Sequence, residues 1–446
     1  MDSDTIVAIA TAHGVGGISI VRVSGENALK ISSKLISNKK LTPRVATLCN
    51  LTYNSTFIDE AIVIYFQAPK SFTGEDIIEF QCHGGSIVAS MIVEALMNEG
   101  ARVARAGEFT KRAVLNSKMD MSKAEAMAAL IESKSKDQAQ ILAKQLKGEL
   151  GEFVQSIRHS LVEVLAHIEV LIDYAEEDLD PNLQENIMQK LDENIDLISK
   201  ILNSSKAREG ILEGFKVSII GKPNVGKSSL LNSLLSYNRA IISDIEGTTR
   251  DTVEEEIKIG THLVKIVDTA GIRDASDEIE KIGIDRSMQA VDESQIVIAL
   301  FDGSRDFDKN DQAILDLIKD KKESKKIFLF ITKADLKQVM DRSFLKDYNY
   351  DLISKGQTDL VIKRVKEYLD SNSFSDDLIL INKRQIDTTQ NAFDSLQRAK
   401  KRLSEGELEL FAYELNEAIQ DISAITKPFE RDEILDHMFS SFCLGK

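Results

Sequence analysis

Residues Gly221 to Ser228 read Gly-Lys-Pro-Asn-Val-Gly-Lys-Ser, and the fold of the segment around them turns on how they are interpreted. An apolar run, Phe215 to Ile220, leads in, and Ser229-Leu230-Leu231-Asn232-Ser233-Leu234-Leu235 leads out. That order is strand, glycine-rich turn, helix, with the spacing G-x-x-x-x-G-K-S. The glycines let backbone N–H groups curl round a phosphate, and the helix start adds its dipole. Lys227 is placed for the β- and γ-phosphates and the Ser228 hydroxyl for Mg²⁺. One such match in 446 residues also arises by chance, as an ordinary glycine turn before a helix, so other motifs must decide.

They decide for guanine nucleotide. Asp268-Thr269-Ala270-Gly271 follows the alternation Leu263, Lys265, Ile266, Val267. A carboxylate at a strand end holds Mg²⁺ through water, and Gly271 permits close approach to the γ-phosphate. Upstream, Gly247-Thr248-Thr249-Arg250-Asp251 offers a threonine hydroxyl to the metal shell. After the apolar run Ile327 to Ile331 comes Thr332-Lys333-Ala334-Asp335. The Asp335 carboxylate accepts two hydrogen bonds from guanine N1–H and its 2-amino group, which adenine does not offer. Four motifs in order, each in a strand context, read as a GTPase domain.

A chain of 446 residues is too long for one core and implies two or three domains. With 43% hydrophobic and 29% charged residues it has no disordered bias. No apolar run approaches a bilayer crossing, and acids stand where a signal peptide needs bases. Cys49, Cys82 and Cys443 are odd in number and lack metal spacing, which points to the reducing cytoplasm. The net charge of −16 argues against a general nucleic-acid coat. Any nucleic-acid partner must meet a local basic face; Arg398, Lys400, Lys401 and Arg402 form the densest cluster, although such a run is more often a solvated helix face.

Residues 1–118 read as α+β. Thr5–Ala10, Ile18–Val23, Ala61–Phe66 and Ile77–Phe80 look like strands, and Glu26–Leu35 and Ser86–Met97 like helices. Arg22 and Glu79 interrupt strand patterns, where a charge is costly unless paired or facing a ligand; a mutual salt bridge is the plainer expectation. From Met119 apolar residues fall at helical spacing: Leu142, Leu146, Leu150, Phe153, Ile157, Leu161, Leu165, Ile168, Ile172. This predicts a helical bundle over 119–214, with Gly210–Gly214 as a short hinge. Residues 215–375 alternate strand and helix as a doubly wound α/β sheet. Helix returns over 376–446, as Ala392–Leu403, Gly406–Ile422 and Arg431–Phe442. Helix before and after makes the GTPase segment an insertion into one bundle, able to pass its movements to the flanking helices.

Many small GTPases orient water with a glutamine after the Asp-x-x-Gly motif. Here that position is Ile272, so another group must serve, and the acidic stretch Asp274 to Glu280 is the nearest supplier. No arginine finger is evident, since Arg250 and Arg273 are more simply explained as surface ion-pair partners. A monovalent cation bound by Asn224 would supply the missing charge.

The whole pattern resembles the MnmE (TrmE) family of tRNA modification GTPases. The matching stretches are Asp4-Thr5-Ile6-Val7-Ala8, Gly74-Glu75-Asp76, His83-Gly84-Gly85, Arg105 to Thr110, Gly221 to Ser229, Gly247 to Asp251, Asp268 to Gly271 and Cys443-Leu444-Gly445-Lys446. The resemblance implies a 5-formyl- or 5,10-methylene-tetrahydrofolate site at Arg22, Glu79, Lys118 and Lys446, in an N-terminal domain that also forms a homodimer. It implies a nucleotide site of Asn224, Val225, Gly226, Lys227, Ser228, Ser229, Ser243, Thr248, Thr249, Asp268, Thr269, Ala270, Gly271, Lys333, Asp335 and Ser354. Mg²⁺ falls to Ser228 and Thr249, and K⁺, in place of an arginine finger, to Asn224, Ser243, Ile245 and Thr248. Glu280 takes the water-orienting role, and Cys443 matches a cysteine needed for modification, against the plainer reading of a buried thiol.

With an FAD-containing partner, MnmG, in a heterotetramer or larger complex, such proteins place an aminomethyl or carboxymethylaminomethyl group on C5 of the tRNA wobble uridine. Two positions depart from the family pattern. Thr332 replaces the asparagine that supports the phosphate loop and guanine N7, and the Ser-Ala signature reads Ser354-Lys355. A regulatory or ribosome-assembly switch that does no chemistry on RNA is the competing reading, and a folate-type domain and a C-terminal Cys-x-Gly-Lys serve no purpose in it. A membrane-associated GTPase is a third, disfavoured by the lack of a basic amphipathic helix.

Overall fold

The computed structural model describes residues 4–12, 14–37, 39–173, 183–239, 255–267, 288–346, 348–373, 378–427, 432–440, 442 and 445. The chain divides into two compact units, each discontinuous in sequence: Met1–Glu132, Ala143–Ile198 and Asp387–Lys446 form one, and Ser133–Leu142 with Ser199–Ile386 the other.

The first unit begins with strands β1 (Ile6–Ile9), β2 (Ile18–Ser24), β3 (Thr47–Tyr53), β4 (Thr56–Phe66), β5 (Ile77–His83) and β6 (Arg102–Val103). They form one sheet in the order β3-β4-β5-β2-β1-β6. Helices α1 (Ala28–Ser32) and α2 (Ser86–Asn98) cover one face, where Val21, Val23, Ile78, Phe80 and Val63 pack with Ile31, Ile92 and Leu96. Period-two alternation sends Arg22, Glu79 and Ile64 to the opposite face, where register sets Ala8, Arg22, Glu79 and Ile64 in one row across four strands.

Two expectations fail here. The helix expected over Glu26–Leu35 is confined to α1 because Leu35 and Ile36 are drawn onto β3. The Thr52 N–H donates to the Leu35 carbonyl at 2.9 Å, and Ile36 bridges Leu51. Strand β3 itself was not expected, although Cys49 and Leu51 are buried and Leu48 and Asn50 between and beside them are exposed.

Helices α3 (Glu108–Leu115), α4 (Met121–Glu132), α5 (Lys136–Lys147), α6 (Glu149–Asp173) and α7 (Leu183–Ala207) follow. Of the stripe expected along α6, Leu150, Ile157, Leu161 and Ile168 are buried, whereas Phe153, Leu165 and Ile172 are only half-buried and Val154 and Val164 take the inward positions beside them. Asn194 of α7 donates to Ser160 Oγ at 2.8 Å, and Lys190 pairs with Glu163 at 2.7 Å. After the second unit come α12 (Lys383–Glu405), α13 (Leu408–Ala424) and α14 (Asp432–Ser440), with α13 lying along α6. Helix α12 starts well before the expected Ala392, because the Asn382 side chain accepts the Gln385 N–H at 2.8 Å and caps the new first turn. The basic cluster on α12 is paired throughout: Arg398 with Glu414, Lys400 with Asp192, Lys401 with Glu405 and Arg402 with Glu407.

The second unit contains α8 (Glu209–Glu213), β7 (Phe215–Gly221), α9 (Lys227–Arg239), β8 (Glu255–Ile259), β9 (His262–Val267), β10 (Ile296–Asp302), α10 (Lys309–Lys321), β11 (Lys326–Thr332), β12 (Tyr350–Leu352) and α11 (Thr358–Ser373). The expected hinge at Gly210–Gly214 is the short helix α8, with the Phe215 ring occupying the space a Cβ on Gly210 would need. Strand order is β12-β11-β10-β7-β9-β8, parallel except where β8 joins β9. Every residue of β10 is buried. Ile296, Ile298 and Leu300 face one layer, Val297, Ala299 and Phe301 the other, as a strand covered by helices on both sides requires. Because β7 lies between β9 and β10, the chain reverses its winding direction there, and the turn after β7 opens at that switch point.

Within this unit His262, buried at the start of β9, lies between two carboxylates. Its Nε2 is 2.8 Å from Asp370 Oδ1 on α11, and its Nδ1 is 3.0 Å from Asp137 Oδ2, off the line of a hydrogen bond. Among the described residues no helix is long and apolar enough to cross a membrane.

Candidate active site

The turn from Lys222 to Gly226 joins the central strand β7 to α9. Gly221 is required by crowding: a Cβ there would sit 2.7 Å from Val225 Cγ1 and 2.8 Å from the Leu300 carbonyl oxygen. Val225 is fully buried, whereas Asn224, Ser228 and Ser229 are exposed on the mouth of the turn. Asn224 takes a left-handed conformation (φ 60°), which asparagine tolerates better than most residues. The Lys227 ammonium donates to the Gly221 and Lys222 carbonyls at 2.6 and 2.9 Å, lying across the turn, and burial lowers its pKa. A phosphate beside it offsets that cost by restoring an opposite charge.

Lys222, an unspecified position in the motif, is the anchor of the loop. Its ammonium meets Asp311 at 2.6 Å and Asp308 at 3.0 Å, both in the capping box that starts α10. Burial alone would lower its pKa, but the two carboxylates overcome that and raise it. The sequence gives no sign of this role, because any residue satisfies that position of the pattern.

The segment Thr332–Asp335 closes on the same turn. Thr332 Oγ1 donates to the Val225 carbonyl at 2.8 Å and lies 3.2 Å from the Phe301 carbonyl. The Ala334 N–H donates to the Ile353 carbonyl at 3.2 Å, so the loop bearing Ser354 sits beside Thr332–Asp335. Asp335 is exposed at its edge, and Ser354 is half-buried, its N–H donating to Gln357 Oε1. Lys333 is also left-handed (φ 57°) and its ammonium is held 2.6 Å from Asp302 Oδ2. Burial pushes the Asp302 carboxyl up, but hydrogen bonds from Lys333 and Ser304 prevail and hold it below the usual range. An acid ending an apolar strand, as Asp302 ends β10, is the signal that would have found it.

The structure thus brings Asn224, Val225, Gly226, Lys227, Ser228 and Ser229 together with Lys333, Asp335 and Ser354. Ser243, Ile245, Thr248, Thr249, Asp268, Thr269, Ala270, Gly271 and Glu280 lie outside the described residues. Strand β9 delivers the chain to Val267, opposite Ser218 of β7, directly before Asp268 in sequence.

The second candidate site is on the face of the first sheet opposite α1 and α2, beside the residues that pack against Phe109 of α3. Arg22 Nε donates to Glu79 Oε1 at 2.8 Å, the salt bridge expected from the residues, and the guanidinium lies 5.6 Å from the Phe72 ring centre and 5.8 Å from that of Phe109. Both partners of the pair stay partly accessible, at 21% and 14%. The pair is therefore neutralised yet reachable. Ser24, further along β2, is bonded to Thr73 and Glu75 at 2.7 Å, and the Lys118 side chain lies over Gly74 between them. Gly445 arrives at the end of β1, next to that row. Gly445 packs so closely on the Ile9 carbonyl and on Ala10 Cα that any side chain there would collide with the end of β1. Ile9 adjoins Ala8, which register places opposite Arg22. Cys443 and Lys446, which flank that contact, lie outside the described residues. Phe72 and Phe109 were not anticipated, since aromatic residues in a loop and a helix carry no mark of a shared site.

Comparison with known proteins gives a consistent result. The family model described as "GTP-binding protein TrmE N-terminus" matches residues 5–118, and that described as "MnmE helical domain" matches residues 121–443. A protein of Sulfurimonas denitrificans named "tRNA modification GTPase MnmE" is 55% identical over 447 residues, covering 100% of both chains. One of the same name from Aliarcobacter butzleri is 54% identical, again over 100% of both. Among solved structures, Era in complex with MgGDPNP and nucleotides of 16S ribosomal RNA matches 41% of this chain and 66% of its own, at 22% identity and a TM-score of 0.27.

Proposed function

The chain belongs to the MnmE family of tRNA modification GTPases, and from that premise we propose that its GTP hydrolysis is K⁺-dependent and drives wobble-uridine modification. In this reading it works as a homodimer with the FAD-containing partner MnmG. Together they attach an aminomethyl or carboxymethylaminomethyl group to uridine C5, with the one-carbon unit taken from tetrahydrofolate. The observation that carries the reading is the meeting of Gly445 with the strand end beside the Arg22–Glu79 pair. A GTPase that acted only as a switch has no need to seat its C-terminal Gly445 on the end of a strand that adjoins an accessible ion pair.

The described residues among them suit the groups they are proposed to hold. Asn224, exposed and left-handed, has a side-chain oxygen free to face a cation; Ser243, Ile245 and Thr248 are the proposed further K⁺ ligands. Ser228 at the start of α9 and Thr249 are proposed for Mg²⁺. A K⁺ held by these residues would supply positive charge to offset the negative charge that develops on the phosphates during hydrolysis. Lys227 and the N–H groups of the turn position the triphosphate, Glu280 orients the attacking water, and Asp335 selects guanine. Arg22, Glu79, Lys118 and Lys446 are proposed to hold the folate, with the partly accessible Phe72 ring beside the Arg22 guanidinium suited to a flat heterocycle. Cys443 is proposed to serve the modification step.

Turnover in K⁺ should exceed that in Na⁺ at least tenfold, and equal rates would remove the cation. Glu280→Ala should retain nucleotide binding and lose most hydrolysis; unchanged hydrolysis would assign the water to another group. Nucleoside analysis of tRNA from a deletion strain tests the whole reading. Loss of C5 modification is expected, and intact modification would favour the regulatory switch.

A further inference from the structure

We propose that Thr332 braces the phosphate loop with its hydroxyl and leaves guanine N7 unread, so that base selection by this segment falls to Asp335. A threonine hydroxyl carries one proton. Here the oxygen lies 2.8 Å from the Val225 carbonyl and 3.2 Å from the Phe301 carbonyl, and both are acceptors. The proton is therefore committed within the protein. Guanine N7 is itself an acceptor and can bond only to a donor. An asparagine at this position carries two N–H donors and can brace a carbonyl while presenting the other to a base; threonine cannot.

The bracing is well placed to matter. Val225 is wholly buried, and it directly precedes Gly226 and Lys227. Thr332 is itself only 7% accessible, at the end of β11 in register with Asp302. A buried carbonyl that loses its donor is left unsatisfied, so removing the hydroxyl disturbs the turn that grips phosphate rather than the pocket that grips the base. The effect on GTP and GDP should consequently be equal, whereas a base-reading residue would distinguish purines.

The test measures binding of GTP, GDP and 7-deaza-GTP, in which N7 is replaced by C–H, to the full chain. The native protein should bind GTP and 7-deaza-GTP within about twofold of each other. Thr332→Val, which keeps the shape, should weaken GTP and GDP alike by roughly tenfold, the effect of one buried hydrogen bond. Thr332→Ser, which keeps the hydroxyl, should restore most of that loss. Thr332→Asn should hold the loop and gain a preference for GTP over 7-deaza-GTP of about fivefold or more. The proposal is overturned if native protein loses severalfold affinity for 7-deaza-GTP, or if the valine variant binds both nucleotides as tightly as native. Failure to prefer GTP over ATP would instead count against Asp335 and the guanine assignment itself.

Discussion

Lys222 and Asp302 act on the candidate site through the residues they hold. Lys222 ties the turn after β7 to the capping box of α10, and Asp302 holds the ammonium of the left-handed Lys333, two residues before Asp335. Asp302 is only 2% accessible, so its charge is screened little by solvent, and a hydrogen bond to an ion there contributes on the order of 2 kcal/mol. Asp302→Asn should therefore weaken GTP and GDP by roughly three- to tenfold while leaving turnover at saturating GTP nearly unchanged. Titration calorimetry of both nucleotides decides it, and unaltered affinity would mean that Lys333 is positioned without this carboxylate.

At the scale of elements, the first sheet is pinned to α3 by ionic contacts as well as by its apolar face. Glu108, the first residue of α3, receives two bonds from Arg102 of β6 at 2.8 and 2.9 Å, one from the Arg105 N–H and one from Arg112. Burial alone would raise its carboxyl pKa, but those donors win and hold it at about 2, down from the ordinary 4.5. A folded-state pKa below the unfolded one means that the native state resists protonation. The contribution is fully present above pH 4.5 and fades as the pH falls toward about 2. Acid unfolding of the native protein followed by circular dichroism should shift to higher pH in Glu108→Gln. Coincident acid transitions for the two proteins would show that α3 is held by packing instead.

For the whole molecule, the long-range contact with most consequence is that between the two ends of the chain. Gly445→Val places a side chain where the Ile9 carbonyl and Ala10 Cα already stand, so the tail should leave β1. Uridine modification should fall while GTP turnover persists, as nucleoside analysis and phosphate release on the same preparation would show. Full modification by this variant would detach the C-terminus from the chemistry. The sequence by itself determined the order of motifs, the nucleotide class and the alternating pattern of strands and helices. Each of those is a local property, set by the spacing of glycines, by the period of apolar residues and by single groups such as Asp335. The short α1, the strand β3 and the early start of α12 at Asn382 escaped, because strand pairing and a side-chain cap outweighed local propensity there. Only the tertiary structure decided that Thr332 reaches Val225, that Phe72 and Phe109 flank Arg22, and that Gly445 meets Ile9. These contacts join residues far apart along the chain, and no periodicity in a sequence records which surfaces a closed fold will press together.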